Sequence, residues 1–184
     1  MKKVFLFLLA SSCLMAACNS DKKDESTEKK DTMSADNKQA MPSAAEKNMQ
    51  TALAAVKMVN SGDLEGAFKL VTPDAVDYND GSMPPVKNID SIKAGIKAWL
   101  AAFPDVKQEN MEAYSNADGS KILITSESSG TFRNDFMGMK ATGKSFKYFD
   151  GEIFGFNGEG KITSHRSIQS NMTMMMQIGA KMGK

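Results

Sequence analysis

Two carboxylates, Asp150 and Glu152, lie two residues apart in a run that alternates as a β-strand does. Successive side chains of a strand point to opposite faces of a sheet, so both acids share one face. The same face carries four aromatic residues, Phe146, Tyr148, Phe154 and Phe156. Acids are rare among aromatic residues in a plain core, because burying a charge without a partner is costly. The pattern predicts a pocket with aromatic walls and a reactive group inside.

Asp150 and Glu152 could act as a proton donor and a proton acceptor. Side chains at positions i and i+2 of a strand lie about 7 Å apart, and at an effective dielectric near 20 two negative charges at about that distance repel by roughly 2.4 kcal/mol. This repulsion and burial both raise the pKa of the pair, so one carboxyl could be protonated near neutral pH. The alternative is a structural ion pair with Arg166, which would lower the pKa, and the sequence leaves both open.

The elements that must position this strand follow from periodicity and turn residues. Apolar residues recur at helical spacing after residue 44 and after residue 88, and Asp63 can cap a short helix between them. Strands are predicted over residues 74–78, 106–115, 121–132, 145–156 and 161–168, with a further strand-like run at 130–140 and a turn at 141–144. A methionine-rich helix should close the chain over residues 171–182. Three helices and then antiparallel strands predict an α+β fold with the sheet covered on one face.

Short motifs occur along this domain in a set order. They are Ala102-Phe103-Pro104-Asp105, Gly130-Thr131-Phe132, Phe136-Met137-Gly138, Thr142-Gly143-Lys144, Gly158-Glu159-Gly160-Lys161-Ile162 and Gln177-Ile178-Gly179. Together they resemble the motifs of the SnoaL-like polyketide cyclases and the related ester cyclases, within the nuclear-transport-factor-2-like superfamily. The resemblance spans residues 49–179. It implies a cone-shaped α+β fold, with a curved antiparallel sheet wrapped by about three N-terminal helices and a short C-terminal helix.

The resemblance also implies a site. Glu152 occupies the position of the family's catalytic aspartate, which moves protons during an intramolecular aldol closure without a cofactor, and Asp150 is its predicted partner. The predicted pocket walls are Phe132, Phe146, Tyr148, Phe154, Arg166, Tyr78 and Trp99, although Trp99 and Tyr78 could instead be core and edge-strand residues. Three family positions differ here: a histidine is Phe132, a tryptophan is Arg166 and an aspartate is Ser170.

Two further features allow more than one interpretation. His165 and Arg166 are neighbours on one strand, so only one faces the pocket; the tryptophan position favours Arg166, which predicts His165 on the surface. Thioethers bind Cu(I), and the final helix carries Met172, Met174, Met175 and Met176. Adjacent methionines on a helix point in different directions, however, and methionine fills apolar gaps well. We therefore predict core packing, with no metal and no cofactor.

The N-terminus predicts the location. Lys2 and Lys3 precede an apolar run, and Leu14-Met15-Ala16-Ala17-Cys18 resembles the cleavage motif of bacterial lipoproteins. We expect a signal peptide at residues 1–17, a lipidated Cys18 with a disordered charged tether over 18–43, and one domain over 44–184. The protein would then be a membrane lipoprotein of the bacterial cell envelope, on its periplasmic face or at the cell surface.

Charge and composition narrow the function. A formal net charge of +1 gives no basic footprint for nucleic acid. The predicted partners are a small-molecule ligand and the membrane, through the anchor, and a homodimer stays open. The predicted function is binding or cofactor-free acid–base conversion of a small apolar carbonyl compound. The alternative is a non-catalytic ligand-binding or structural envelope lipoprotein.

Overall fold

A computed structural model describes residues 42–169 and 171–179. In chain order its elements are α1 (Ala44–Asn60), α2 (Leu64–Phe68), β1 (Val71–Asp77), α3 (Ile89–Ala102), β2 (Lys107–Ser115), β3 (Lys121–Thr131), β4 (Ser145–Phe156), β5 (Ile162–Ser167) and α4 (Asn171–Ile178). The predicted signal peptide, Cys18 and nearly all of the predicted tether lie outside the described residues. Within the described ranges, no helix is both long and apolar enough to cross a membrane.

Side-chain caps set where the helices begin. Helix α1 starts with a capping box, in which the Ser43 hydroxyl accepts from the Glu46 N–H at 3.2 Å and the Glu46 carboxylate accepts from the Ser43 N–H at 2.6 Å. Asp63 caps α2, as the sequence predicts, and Asn88 caps α3 through the Ser91 N–H at 2.9 Å. These caps hold the helices at the positions from which they cover the sheet.

The five described strands form one sheet in the order β1-β5-β4-β3-β2. The pairs β2–β3, β3–β4 and β4–β5 are antiparallel, and β1 pairs parallel with β5. The α+β fold is therefore confirmed, but the sheet is mixed rather than wholly antiparallel. A tight hairpin would force antiparallel pairing, and β1 is separated from β5 by most of the domain, so its direction is free of that constraint.

The prediction of a strand-like run over residues 130–140 is wrong for the residues that follow Thr131. Strand β3 ends at Thr131, and residues 132–144 form a loop that folds back on itself. Phe136 and Met139 exchange backbone hydrogen bonds at 3.1 and 2.9 Å around Met137 and Gly138, whose φ angles are +48° and +77°. Positive φ at both central residues makes a tight turn, which interrupts any longer strand.

Two apolar clusters occupy the inner face of the sheet. The first packs α1 against β3, β4 and β5 through Ala52, Ala55, Val56, Ile122, Ile124, Phe154, Phe156 and Ile162. The second joins the end of α3, the 132–144 loop and α4 through Ala102, Phe103, Phe132, Phe146, Met174 and Ile178. Strand β4 contributes to both clusters at its two ends. The middle of its inner face, between them, is where the acids lie.

Candidate functional site

A cavity of about 490 Å³ opens between the two clusters. The inner face of β4 forms its floor through Tyr148, Asp150, Glu152 and Phe154. Ser128 of β3, the partner of Tyr148, lies beside that floor. The walls come from α1, α3, α4 and the segment 79–86. Most of its lining is apolar, and its volume lies within the range of small-molecule pockets, roughly 300–1,000 Å³.

Five of the predicted site residues line this cavity together: Asp150, Glu152, Tyr148, Phe154 and Trp99. Strand alternation explains the four on β4, since they share the inward-facing parity. The antiparallel register also places Ser126 of β3 beside Asp150, and Ser128 beside Tyr148. The two strands therefore share a polar band across the middle of an otherwise apolar face.

Phe132 and Phe146 were predicted to be pocket walls, but neither residue lines the cavity. They are 0% and 3% exposed and belong to the second apolar cluster. The Phe103 ring stacks on Phe132 with centroids 5.2 Å apart and meets Phe146 edge-on at 5.5 Å. Both rings are buried against other side chains of the second cluster, so Phe132 and Phe146 support the cavity through packing and do not face a ligand.

Arg166 was predicted to face the pocket and His165 the surface, and both predictions are wrong. Of the two interpretations of Tyr78, the pocket wall fails and the residue beside the edge strand β1 remains. The Arg166 guanidinium stacks over the Tyr78 ring, 4.7 Å from its centroid, and neither residue is among those that line the cavity. His165 lines the cavity instead of the surface. Arg166 is paired with Ile153 and His165 with Phe154, so the inward parity of β4 carries His165 inward. The predicted ion pair of Glu152 with Arg166 does not form, because the two side chains leave opposite faces.

His165 lies between two carboxylates. Its Nδ1 is 3.0 Å from Asp77 Oδ1, and its Nε2 is 3.8 Å from Glu152 Oε1. The parallel register of β1 and β5 places Asp77 directly beside His165. Sequence reasoning did not assign Asp77 to the site. The one available signal was its position in Asp77-Tyr78, which resembles an aspartate–histidine pair of the family.

The carboxylates hold the imidazole in its charged form. Burial lowers the pKa of His165, but hydrogen bonds and negative charges from Asp77 and Glu152 outweigh it and raise that pKa to about 10. Burial raises the pKa of Asp77, but the hydrogen bond and the charge of His165 outweigh it and lower that pKa below its ordinary value. The Asn79 N–H, which donates to Asp77 Oδ1 at 2.9 Å, lowers it further. At neutral pH His165 is an imidazolium, which carries an N–H on each ring nitrogen: Nδ1–H donates to Asp77, and Nε2 lies 3.8 Å from Glu152 Oε1.

The pKa of Asp150 is raised, whereas that of Asp77 is lowered. Asp150 is 7% exposed, and burial, followed by the negative charge of Glu152, raises its pKa to about 6. The Gly151 N–H, which donates to Asp150 Oδ1 at 2.7 Å, and the charge of His165 offset part of that rise. Burial and the charge of Asp150 also raise the pKa of Tyr148, which therefore remains a phenol. The site thus joins a carboxyl that titrates near neutral pH to fixed hydrogen-bond donors.

The methionines of α4 face different ways. Met174 is 1% exposed within the second cluster, Met175 packs against that cluster and lines the cavity, and Met176 is 71% exposed. The prediction of core packing holds for Met174 and fails for Met176. In the described part of the chain, no group of three or more His, Cys, Asp or Glu side chains is placed to hold a metal ion.

Comparison with known proteins gives a family and a fold. The sequence model of the SnoaL-like polyketide cyclases matches residues 47–178. A proposed polyketide cyclase from Xanthomonas campestris superposes with a TM-score of 0.68 at 14% identity, over 74% of this chain and 99% of that chain. AclR, a proposed hydroxylase from Streptomyces galilaeus, gives 0.61 at 26% identity, over 74% and 98%. IdmH, a proposed polyketide cyclase from Streptomyces antibioticus, gives 0.57 at 26%, over 72% and 98%. Comparison with curated protein sequences finds no match.

Proposed function

Because this chain belongs to the SnoaL-like polyketide cyclase family, we propose that its cavity binds a small apolar carbonyl compound and moves a proton at the carbon next to the carbonyl. The observation that carries the proposal is that one apolar cavity is lined both by the buried Asp150 carboxylate, whose pKa is about 6, and by the imidazolium of His165. A base near neutral pKa and a preorganised donor are what enolisation requires.

The step can be written from these side chains. The carbonyl oxygen accepts a hydrogen bond from His165 Nε2–H, and the Asp150 carboxylate takes the proton from the adjacent carbon. The electron pair of that C–H bond becomes the C=C bond of an enolate, whose oxygen charge the imidazolium stabilises. The enolate carbon then either regains a proton from the Asp150 carboxyl or attacks a second carbonyl in the same molecule. In the second case the C=C pair of the enolate forms a C–C bond as its own C=O bond returns. The π bond of the attacked carbonyl breaks to an alkoxide, and that alkoxide takes the proton from the Asp150 carboxyl.

Glu152 acts beside Asp150 in this scheme. Its carboxylate lies 3.8 Å from His165 Nε2, and its charge contributes to the raised pKa of both His165 and Asp150. It occupies the family's acid position, and it could exchange roles with Asp150 because the two carboxylates share the floor of the cavity. We assign the proton acceptor to Asp150 because burial and the charge of Glu152 raise its pKa to about 6, near neutral pH.

Hydrogen–deuterium exchange tests this proposal. The protein is incubated with 2-tetralone, an apolar bicyclic ketone, in D₂O, and loss of the α-proton signal is followed by NMR. We expect exchange faster than in buffer, and a fall of roughly 10²-fold or more in Asp150→Asn. The control Glu159→Gln removes an acid from the exposed turn at 157–160 and should leave the rate unchanged. Wild-type exchange at the buffer rate would contradict the proposal.

A second function is favoured by one observation. The family's histidine after Gly-Thr is Phe132 here, and its ring is wholly enclosed by packing, so that proton-transfer group is missing. A cavity that binds its ligand without turnover is consistent with this loss. Saturable binding of 2-tetralone with exchange at the buffer rate would identify this second function.

We also infer that the domain works at a membrane surface, on a lipid attached to Cys18. The support is the sequence Leu14-Met15-Ala16-Ala17-Cys18 after a short apolar run. Cys18→Ala should move the protein from the membrane to the soluble fraction of bacterial cells. Cys13→Ala is the matched control, because Cys13 falls in the predicted signal peptide and should leave the anchor intact. Intact mass without acyl groups on the wild type would refute the inference.

A further inference from the structure

The charges around the cavity are of one sign almost throughout. The whole chain has 23 Lys and Arg against 22 Asp and Glu. Among the described residues that line the cavity, however, none is Lys or Arg, and the charged ones are Asp77, Asp80, Asp150, Glu152 and His165. Arg166 is next to His165 in sequence, but it leaves the opposite face of the sheet and stacks on Tyr78. The cavity is therefore acidic although the chain as a whole is balanced.

The internal histidine does not neutralise this charge. His165 lies 3.0 Å from Asp77 and forms a close pair with it. Glu152 shares the same imidazole at 3.8 Å, and Asp80 remains at the edge of the cavity, where it accepts from the Asn171 N–H and side-chain amide at 3.2 Å. The imidazolium of His165 is thus one positive charge among several carboxylates, so the cavity that a ligand enters has a net negative charge.

Asp150 is the carboxylate best placed to accept a hydrogen bond from a ligand. Its residue is 93% buried and lines the cavity. In the described ranges its carboxylate accepts one hydrogen bond, from the adjacent Gly151 N–H to Oδ1. The remaining lone pairs on a buried carboxylate are expected to be satisfied by a donor, and a cationic donor forms the stronger bond. A ligand ammonium at this position would also relieve the repulsion between Asp150 and Glu152.

Aromatic rings lie next to this acceptor. Tyr148 and Phe154 flank the two acids on the inner face of β4, and Trp99 faces the cavity from α3. The negative faces of aromatic rings attract cations, most strongly where water is excluded, and the same rings bind apolar groups. Acids among aromatic rings therefore suit a positive head on an apolar body, and they repel a carboxylate or a phosphate.

We propose that the cavity selects a ligand that carries a protonated amine on an apolar body, with the ammonium held by Asp150. It discriminates against an anion of the same size and shape. The inference rests on the proposed function in one respect, that this cavity is the ligand site, and it requires no proton transfer. With an ammonium on Asp150, the proton acceptor of the proposed function would be Glu152, which shares the floor of the cavity.

Three ligands with a common adamantane body test the selection. At pH 7 1-aminoadamantane is a cation, 1-adamantanol is neutral and adamantane-1-carboxylic acid is an anion. Trp99 is the one tryptophan of the chain and lines the cavity, so its fluorescence reports binding, and calorimetry gives the dissociation constants. We expect the amine to bind about tenfold or more tightly than the alcohol, and the alcohol about tenfold or more tightly than the acid.

Variants locate the effect at the cavity. Asp150→Asn should lower the amine-to-alcohol affinity ratio about tenfold while alcohol binding stays within about twofold. Glu152→Gln supplies a second variant with a smaller fall in the same ratio. Glu159→Gln, which removes the same charge from an exposed turn, should keep the wild-type ratio.

Each outcome decides the inference. Equal affinities for amine and alcohol, or an unchanged ratio in Asp150→Asn, would overturn the inference and leave the cavity as a ligand site. Failure of all three ligands to bind would overturn it as well. A protein that prefers the amine but exchanges no α-protons would support this inference and contradict the proposed proton transfer.

Discussion

Replacing Asp150 by Asn should stabilise the folded protein at neutral pH. A pKa of about 6, against the usual 3.8, means that the ionised carboxylate is less favourable in the folded state than in the unfolded chain. Each pKa unit corresponds to 1.36 kcal/mol, so the cost is about 3 kcal/mol once the group is fully ionised. Asparagine keeps an oxygen that can accept from the Gly151 N–H, and it never carries the charge.

The pH dependence of this difference identifies its cause. The folded pKa is raised, so the cost is absent below about pH 3.8, where both states are protonated, and grows as pH rises. Above about pH 6 it is complete. Urea melts at pH 3.5 and pH 7.5 should therefore show Asp150→Asn near the wild type at the lower pH and about 3 kcal/mol more stable at the higher one.

A matched control separates this effect from a general change in charge. Glu159 is an exposed acid in the turn at 157–160, so Glu159→Gln should change the free energy of unfolding by less than about 0.5 kcal/mol at either pH. The reasoning fails if Asp150→Asn is less stable than the wild type at pH 7.5. It fails equally if the difference in unfolding free energy is the same at both pH values.

Three further predictions follow from the same geometry. NMR titration of His165, the one histidine, should give a pKa of about 10 in the wild type and a lower pKa in Asp77→Asn. The contribution of the charged His165 to stability should be complete below about pH 6.5 and lost as pH rises toward 10. A wild-type pKa near 6.5 would refute the pairing of His165 with Asp77. Glu152→Gln should also lower the pKa of His165 in that titration, and an unchanged value would mean that the 3.8 Å contact carries no coupling. Met174→Ala should cost about 2–5 kcal/mol in a urea melt, because Met174 is 1% exposed, whereas Met176→Ala, 71% exposed, should cost under about 0.5; equal losses would contradict the packing of α4.

Local sequence signals predict much of this fold because their causes are local. The cap at Asp63 and the alternation of β4 are set by neighbouring residues. Alternation alone places Asp150 and Glu152 on one face between aromatic residues. The predicted strand at 130–140 failed because two successive positive φ angles, one at the non-glycine Met137, turn the chain there.

The histidine was misplaced for a reason that no local pattern contains. The pairing of β4 with β5 shifts register between Gly155 and Phe156, whose partners are Ser164 and Ile162. Counting by twos from the buried Ile162 would place Arg166 on the inner face. The extra residue reverses the alternation, so His165 faces inward. Its contact with Asp77 depends in turn on the parallel pairing of β1 with β5, which joins residues 88 positions apart.

The position of Asp150 predicts that it can be exchanged without loss of the fold. Strand β4 gives Phe146 to one cluster and Phe154 and Phe156 to the other, and the charged pair lies between them. Neither cluster needs Asp150 for its packing, whereas its ionised form makes folding less favourable by about 3 kcal/mol at neutral pH. A strand selected for stability alone would carry an apolar residue there. A destabilising carboxylate in a cavity between two intact cores is what a site adapted to a ligand, rather than to packing, is expected to show.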